Sequence, residues 1–204
     1  MSASKLRPEL TIIQQWIKPR ARILDMGCGD GELLSFLQQD RQVSGYGLEI
    51  DENKISACIS KGINVIEQNL DADLSNFTDK SFDIVVMTQA LQVMQHPHKI
   101  LEEMTRIGQE AIVTFPNFGH WRTRWYLTLK GKMPVSETLP YSWYDTPNIH
   151  LCTFTDFEEL CRKQNYKILN RSVTDTKHQR GNWFTRKMPN LLAEIAIYRI
   201  SKYH

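Results

Sequence analysis

This 204-residue chain predicts an α/β protein built on one open, mostly parallel sheet, and three observations predict it. The segment RILDMGCGDGELLSFL (Arg22–Leu37) joins a short apolar strand to a helix through a turn with glycine at 27, 29 and 31. A second strand-like run ends in Glu49, twenty positions beyond Gly29. The run FDIVVM (Phe82–Met87), apolar after Asp83, has the pattern of a strand buried on both faces of a parallel sheet. Together they describe a Rossmann-like unit whose ligand lies at the carboxyl ends of its strands.

The glycine turn narrows the ligand. Its glycines admit positive φ and let a ligand approach with no side chain in the way. The helix that follows, with Leu33, Leu34 and Leu37 on one side, directs unpaired N–H groups and the positive end of its dipole there. A dinucleotide fingerprint, G-x-G-x-x-G, fails because Glu32 stands at its third glycine. No G-K-[ST] of a phosphate loop is present, and Asp25 and Glu32 at the two ends of the turn are poor company for phosphates. The spacing D-x-G-x-G-x-G (Asp25, Gly27, Gly29, Gly31) instead resembles the first motif of class I S-adenosylmethionine-dependent methyltransferases. That cofactor has no phosphate and carries a sulfonium cation, which nearby carboxylates favour.

The remaining elements follow in order. Gln42–Ile50 reads as the second strand, and Glu49 at its end suits hydrogen bonds to both hydroxyls of a ribose. Asn53–Lys61 reads as a helix with Gly62 as its C-terminal cap, and Ile63–Glu67 as a third strand. The methyltransferase resemblance implies an adenine contact just beyond it, from Asn69 or Asp71; Asn69 stands where the family pattern expects an acid. It also implies a pocket lined from the end of the fourth strand by Thr88, Gln89 and Leu91. The cofactor set is therefore Asp25, Gly27, Cys28, Gly29, Gly31, Glu49, Ile50, Asn69, Leu70, Asp71, Thr88, Gln89 and Leu91, holding S-adenosyl-L-methionine or S-adenosyl-L-homocysteine. Ile100–Ile107 is amphipathic, and Ala111–Phe115 gives a fifth strand. Thr155 reads as the N-cap of a helix to Gln164, with Glu158 completing a capping box. Tyr166–Val173 and Glu194–Ile200 read as the last two of seven strands and resemble the antiparallel closing pair of the methyltransferase sheet. Between them Thr176–Pro189 reads as a basic, polar loop containing Trp183 and Phe184.

Global composition agrees with one domain over residues 1–204 carrying an insertion at 116–150. At 41% hydrophobic and 24% charged it is ordinary for a globular chain. No apolar stretch reaches transmembrane length, and MSASKLRPEL lacks the apolar core of a secretory signal, so the expectation is a cytoplasmic protein with no membrane partner. Cys28, Cys58, Cys152 and Cys161 form no CxxC pair and read as reduced thiols, Cys28 as a small loop residue. His96 and His98 flank Pro97 with no third ligand nearby, so no metal is expected.

The charge is uneven. Residues 118–189 hold twelve Lys or Arg against six Asp or Glu, whereas the rest carries thirteen against seventeen. A solvated basic face or an acidic protein partner accounts for this; nucleic-acid surfaces usually show a stronger excess. The insertion adds Trp121, Trp125, Trp143, Phe118, Tyr126, Tyr141 and Tyr144. Trp121, Trp125 and Leu129 recur every four residues, one face of a short helix flanked by Arg122, Arg124, Lys130 and Lys132. The first expectation is that this face packs on the chain's own sheet. The alternative is a partner-binding or substrate-capping surface, since aromatics and arginines dominate interface energetics.

The segments FPNFGHWRTRWYLTLKGKMPV and LPYSWYDTPNIHLCTFTDFEELC, with the glycine turn and SFDIVVMTQALQ, resemble the MetW family of bacterial methionine-biosynthesis proteins over roughly residues 10–200. The resemblance implies a class I methyltransferase fold and a partner, the homoserine O-acetyltransferase or O-succinyltransferase that commits homoserine to methionine, whose activity such proteins support. Two functions stay open: a cofactor-binding partner of that acyltransferase, and a genuine methyltransferase acting on a small molecule. Methyl transfer depends mostly on placement, so the absence of an obvious acid–base pair excludes neither. No catalytic residue is assigned, and a homo-oligomer is left open.

Overall fold

The computed structural model describes residues 7–136, 138–174 and 183–203. Seven strands form one sheet: β1 (Arg22–Met26), β2 (Ser44–Glu49), β3 (Val65–Glu67), β4 (Phe82–Thr88), β5 (Gly108–Pro116), β6 (Tyr166–Thr174) and β7 (Ile195–Lys202), in the order β3-β2-β1-β4-β5-β7-β6. The first five run parallel, and β7 lies antiparallel between β5 and β6. Strand order reverses between β1 and β4, so connections leave the sheet in opposite directions there and open a crevice at its carboxyl edge.

Alternation along each strand builds two cores, one on each face. Leu24 and Met26 of β1, Val85 and Met87 of β4 and Val113 and Phe115 of β5 pack with α4 (Pro97–Ile107) and α6 (Phe154–Lys163). Ile23, Ile84, Val86 and Ile112 face the other way, onto α1 (Pro8–Trp16), α2 (Glu32–Arg41) and α3 (Glu52–Ser60). Helices on both faces of a mostly parallel sheet are thus the observed architecture. Phe115 stacks on Tyr198 of β7, ring centroids 6.1 Å apart, which fixes the antiparallel pair against the parallel half.

Three local expectations need correction. The helix after the insertion begins two residues earlier than Thr155: Thr153 is its N-cap, and the box closes on Asp156, whose Oδ2 accepts from the Thr153 N–H at 3.1 Å. Both registers satisfy the sequence pattern, but this one buries Phe154, Phe157 and Cys161 on the face toward the sheet. It also frees Glu158 to accept from the Tyr198 hydroxyl at 2.7 Å. The basic loop before β7 contains two short helices, α7 (Trp183–Lys187) and α8 (Pro189–Leu192), while residues 175–182 lie outside the described residues. The helix of the insertion, α5 (Trp121–Lys130), does form, but its aromatic stripe does not pack on the sheet: Trp121, Trp125 and Leu129 are 45%, 61% and 64% exposed.

Thr153→Ala removes the capping hydroxyl and is expected to cost about 1 kcal/mol. Thr155→Ala, in the first turn of the helix, loses only the exposed bond that its Oγ1 accepts from Asn190 Nδ2 at 3.0 Å, and is expected to cost about half as much or less. Urea denaturation of the two variants checks the register, and a larger loss at Thr155 would reverse it.

Candidate ligand site at the carboxyl edge

The site begins where β1 stops. The N–H groups of Gly27 and Cys28 both donate to the carbonyl of Leu48, at 2.8 and 3.0 Å, so the turn is hooked onto the end of β2. Gly27, Gly29 and Gly31 all take positive φ. At Gly29 (φ +58°) a Cβ would meet nothing within 4 Å, so this position borders open space on the side a ligand would enter. At Gly27 a Cβ would stand 3.3 Å from Ala90 and 3.8 Å from Leu70, which brings the loops after β3 and β4 against the turn.

Cys28 and Gly31 face the opposite way. Cys28 is buried, with Sγ 3.8 Å from Cys58 Sγ. A Cβ on Gly47 would lie 2.3 Å from that sulfur. These residues therefore support the turn from below rather than line its open side. All four cysteines are free.

Glu49 lies on the open side, 7% exposed. One carboxylate oxygen accepts from the Gly29 N–H at 2.9 Å, the other from the N–H groups of Ile50 and Asp51 at 2.9 and 3.1 Å. A carboxylate offers about four acceptor positions; three are taken by backbone. Two ribose bonds at Glu49 would therefore require one backbone N–H to yield its place. Ile50 beside it is exposed.

After β3, Asn69 Oδ1 accepts from the Asp71 N–H at 3.0 Å, and Asp71 Oδ1 accepts from the Gln95 N–H at 2.9 Å. Asp71 thus ties this loop to the one after β4, while Leu70 between them is buried. Thr88 ends β4. Gln89 takes positive φ (+52°), a conformation unfavourable for a side-chain-bearing residue. It is held by its N–H donating to both Thr114 Oγ1 and the Thr114 carbonyl, at 2.9 and 3.1 Å. Leu91 is buried in the short 3₁₀ turn Leu91–Val93. The expected residues thus come from one sheet edge, and all but Cys28 and Gly31 belong to its loop cluster.

The sequence reading missed the contribution of α1. Glu9, in its first turn, is 2% exposed and accepts from Gln89 Nε2 at 2.8 Å. Arg7 spans the same place, its guanidinium donating to Glu32 at 3.1 Å and to Glu9 at 3.4 Å. The signal was present: Leu10, Ile13 and Ile17 recur at helical spacing behind Pro8, and all are buried.

Three buried carboxylates, Glu9, Asp25 and Glu49, therefore gather around one turn. Asp25 is 1% exposed and its Oδ1 has no hydrogen-bond partner. Burial pushes its pKa up to about 7; Arg7 pulls it down and Glu49 adds to the rise. An unpartnered buried acceptor in an acidic crevice disfavours phosphates and suits a ligand that brings a positive charge and a donor. Among the described residues no group of three or more His, Cys, Asp or Glu is placed to hold a metal ion, and no helix is long and apolar enough to cross a membrane.

This sheet and crevice define the class I methyltransferase fold. Solved structures agree: a possible histamine N-methyltransferase from Thermotoga maritima has a TM-score of 0.65 at 17% identity, with 96% of this chain and 88% of that one covered. The putative methyltransferase in complex with the Trm112 activator of Haloferax volcanii gives 0.68 at 14%, covering 96% and 90%. The family model for methionine biosynthesis protein MetW matches residues 7–200, and the chain belongs to that family. A curated relative, the bifunctional methionine biosynthesis protein MetXA/MetW of Rhodopirellula baltica, is 29% identical over 194 residues, 91% of this chain and 31% of the relative. The ubiquinone/menaquinone biosynthesis C-methyltransferase UbiE of Burkholderia mallei is 27% identical over 105 residues, 48% of this chain and 43% of the relative. The chain thus spans less than half the length of these curated relatives.

Because Asp25 has a higher pKa folded than unfolded, the folded state loses stability as pH rises from 3.8 through about 7. In Asp25→Asn this contribution is absent. The difference in Tm, variant minus wild type, is expected to grow across that window and level off above it; a difference independent of pH would show that Asp25 does not titrate as a buried group.

Proposed function

We propose that the chain binds S-adenosyl-L-methionine at the carboxyl-edge crevice and acts as a partner that supports homoserine O-acyltransferase. The binding half rests on the acidic, phosphate-averse turn. The partner half rests on one observation: in the Rhodopirellula relative the MetXA and MetW parts share one polypeptide.

In this reading Asp25 and Glu9 place negative charge opposite the cationic methionyl end of the ligand, and its donor satisfies the orphan Asp25 oxygen. Glu49 meets the ribose, with Ile50 at its rim. The backbone at Gly27 and Gly29 admits the nucleoside without steric conflict. Leu70 and Leu91 supply apolar contact for the adenine, Asn69 or Asp71 takes its amino group, and Thr88 and Gln89 close the wall beside β4. When bound, S-adenosylmethionine carries an activated methyl group. Since it is made from methionine, its occupancy reports the state of the pathway to the acyltransferase. A partner shifts an enzyme toward the state it binds more tightly, so no methyl transfer is required of this function.

The match to UbiE favours a second reading, methyl transfer to a small molecule. A labelled methyl donor incubated with the chain and a metabolite extract separates the two, because only a methyltransferase moves label onto an acceptor.

Acyl transfer assayed with and without this chain is expected to differ; equal rates would overturn the partner role. For the ligand, Gly29→Val forces a branched residue into left-handed backbone at the open side. Calorimetric titration with S-adenosylmethionine is expected to show an affinity loss of about tenfold or more, and undiminished affinity would move the site elsewhere.

A further inference from the structure

Helix α5 is anchored at its base and bare along its length. Asn117, 3% exposed, donates from Nδ2 to the carbonyls of Ala193 and Asn190 at 2.7 and 3.0 Å and accepts the Gly119 N–H at 2.9 Å. Arg124 Nε donates to the Gly119 carbonyl at 2.6 Å. This elbow holds the first turn of α5 against the segment that leads into β7.

Beyond it the helix has little to pack on. Thr123 is the one buried side chain of α5, whereas a short helix in a folded protein owes most of its stability to a buried apolar face. The apolar face here points outward. Trp121, Trp125 and Leu129 form a stripe at four-residue spacing, and Leu127 is also exposed. The charge carried by this segment has one sign, since Arg122, Arg124, Lys130 and Lys132 are present and residues 118–136 contain no Asp or Glu; among the described residues Arg122 alone meets an acid, Glu194 at 3.6 Å. Arg122 lies over the Trp121 ring at 5.5 Å and Lys130 over the Tyr126 ring at 4.8 Å, so cations and aromatics form one surface. Tryptophans ringed by arginines have the composition of an interface hot spot, and a monomer rarely leaves a contiguous apolar patch bare without a use for it.

We infer that the Trp121–Trp125–Leu129 stripe of α5, with its basic border, is the face that docks homoserine O-acyltransferase, onto an apolar patch of that enzyme edged by Asp and Glu. The inference rests on the partner proposed above. Two observations favour this occupant. The basic border repels an identical face, which opposes a symmetric dimer through α5. In addition, the match to the fused relative spans 91% of this chain and so takes in residues 121–130; fusion in one polypeptide holds that region at high effective concentration of the acyltransferase part.

The test is titration calorimetry of the full chain against the acyltransferase of its own organism, with Trp125→Glu/Leu129→Glu as the variant and Ile59→Glu, exposed on α3, as the control. The wild type and the control are expected to bind alike. The double variant is expected to lose about 100-fold in affinity, with its Tm and its S-adenosylmethionine titration unchanged. If the double variant fails to fold, Lys130→Glu/Lys132→Glu replaces it, and is expected to weaken binding and flatten its salt dependence. Binding that survives both sets of substitutions overturns the docking face and leaves the partner role intact. A wild type that does not bind the acyltransferase overturns the partner role and the inference with it. A wild-type dimer that Trp125→Glu dissociates, by light scattering, assigns the face to a second copy and overturns the inference.

Discussion

Everything at the carboxyl edge depends on one carbonyl, that of Leu48, accepting the N–H groups of both Gly27 and Cys28. That pair of hydrogen bonds fixes where the chain turns after β1, and so where Asp25 is buried, where Gly29 opens outward and where Glu49 meets the Gly29 N–H. The turn must also lie close to β2, and this explains Gly47: Cys28 Sγ occupies the place its Cβ would take. The cysteine pair beneath the turn is therefore packing. Burial raises the pKa of both thiols and keeps them in the neutral form that packing needs.

The turn concentrates negative charge that the protein alone does not neutralise. Arg7 is the cation bonded to Glu9 and pulling on Asp25, and it is itself half-exposed and shared with Glu32. Desolvating a carboxylate costs several kcal/mol unless it is paired, and here the chain leaves Asp25 incompletely paired. Such an arrangement is a standing cost in the free protein and a source of affinity for a cationic ligand.

The parts legible in the sequence were those governed by local rules. Periodicity located the strands and the main helices, because alternation and the 3.6-residue repeat are written in consecutive residues. Glycine spacing located the turn, because left-handed backbone has few alternative residues. The remainder depended on contacts between distant segments. Thr153 and Thr155 both head a plausible capping box, and only the burial of Phe154 and Phe157 against Phe115 and Tyr198 decides between them. Glu9 reads as a surface acid at a helix start until Gln89, eighty residues away, is seen to donate to it. The outward face of α5 was undecidable for the same reason, since an amphipathic helix specifies that one side wants cover without naming the cover.

The insertion and the crevice are joined by hydrogen bonds as well as by sequence. Gln89, whose side chain donates to Glu9, accepts from Gln92 Nε2 at 2.7 Å through its own carbonyl. The carbonyl of Gln92 in turn accepts the N–H groups of Ile149 and His150, at 2.9 and 3.0 Å, from the far end of the insertion. The near end is fixed by Asn117 to the segment before β7. Both ends of the aromatic insertion are thus anchored to the sheet edge that carries the glycine turn, one of them through a residue held in unfavourable backbone geometry. A segment held in this way has a defined position, and rearranging Gln89 would break its bonds to Glu9 and Gln92 together. Physical continuity of this kind is necessary for communication between two sites but not sufficient: occupancy of the crevice alters the insertion only to the extent that the ligand binds two arrangements of Gln89 with different affinity.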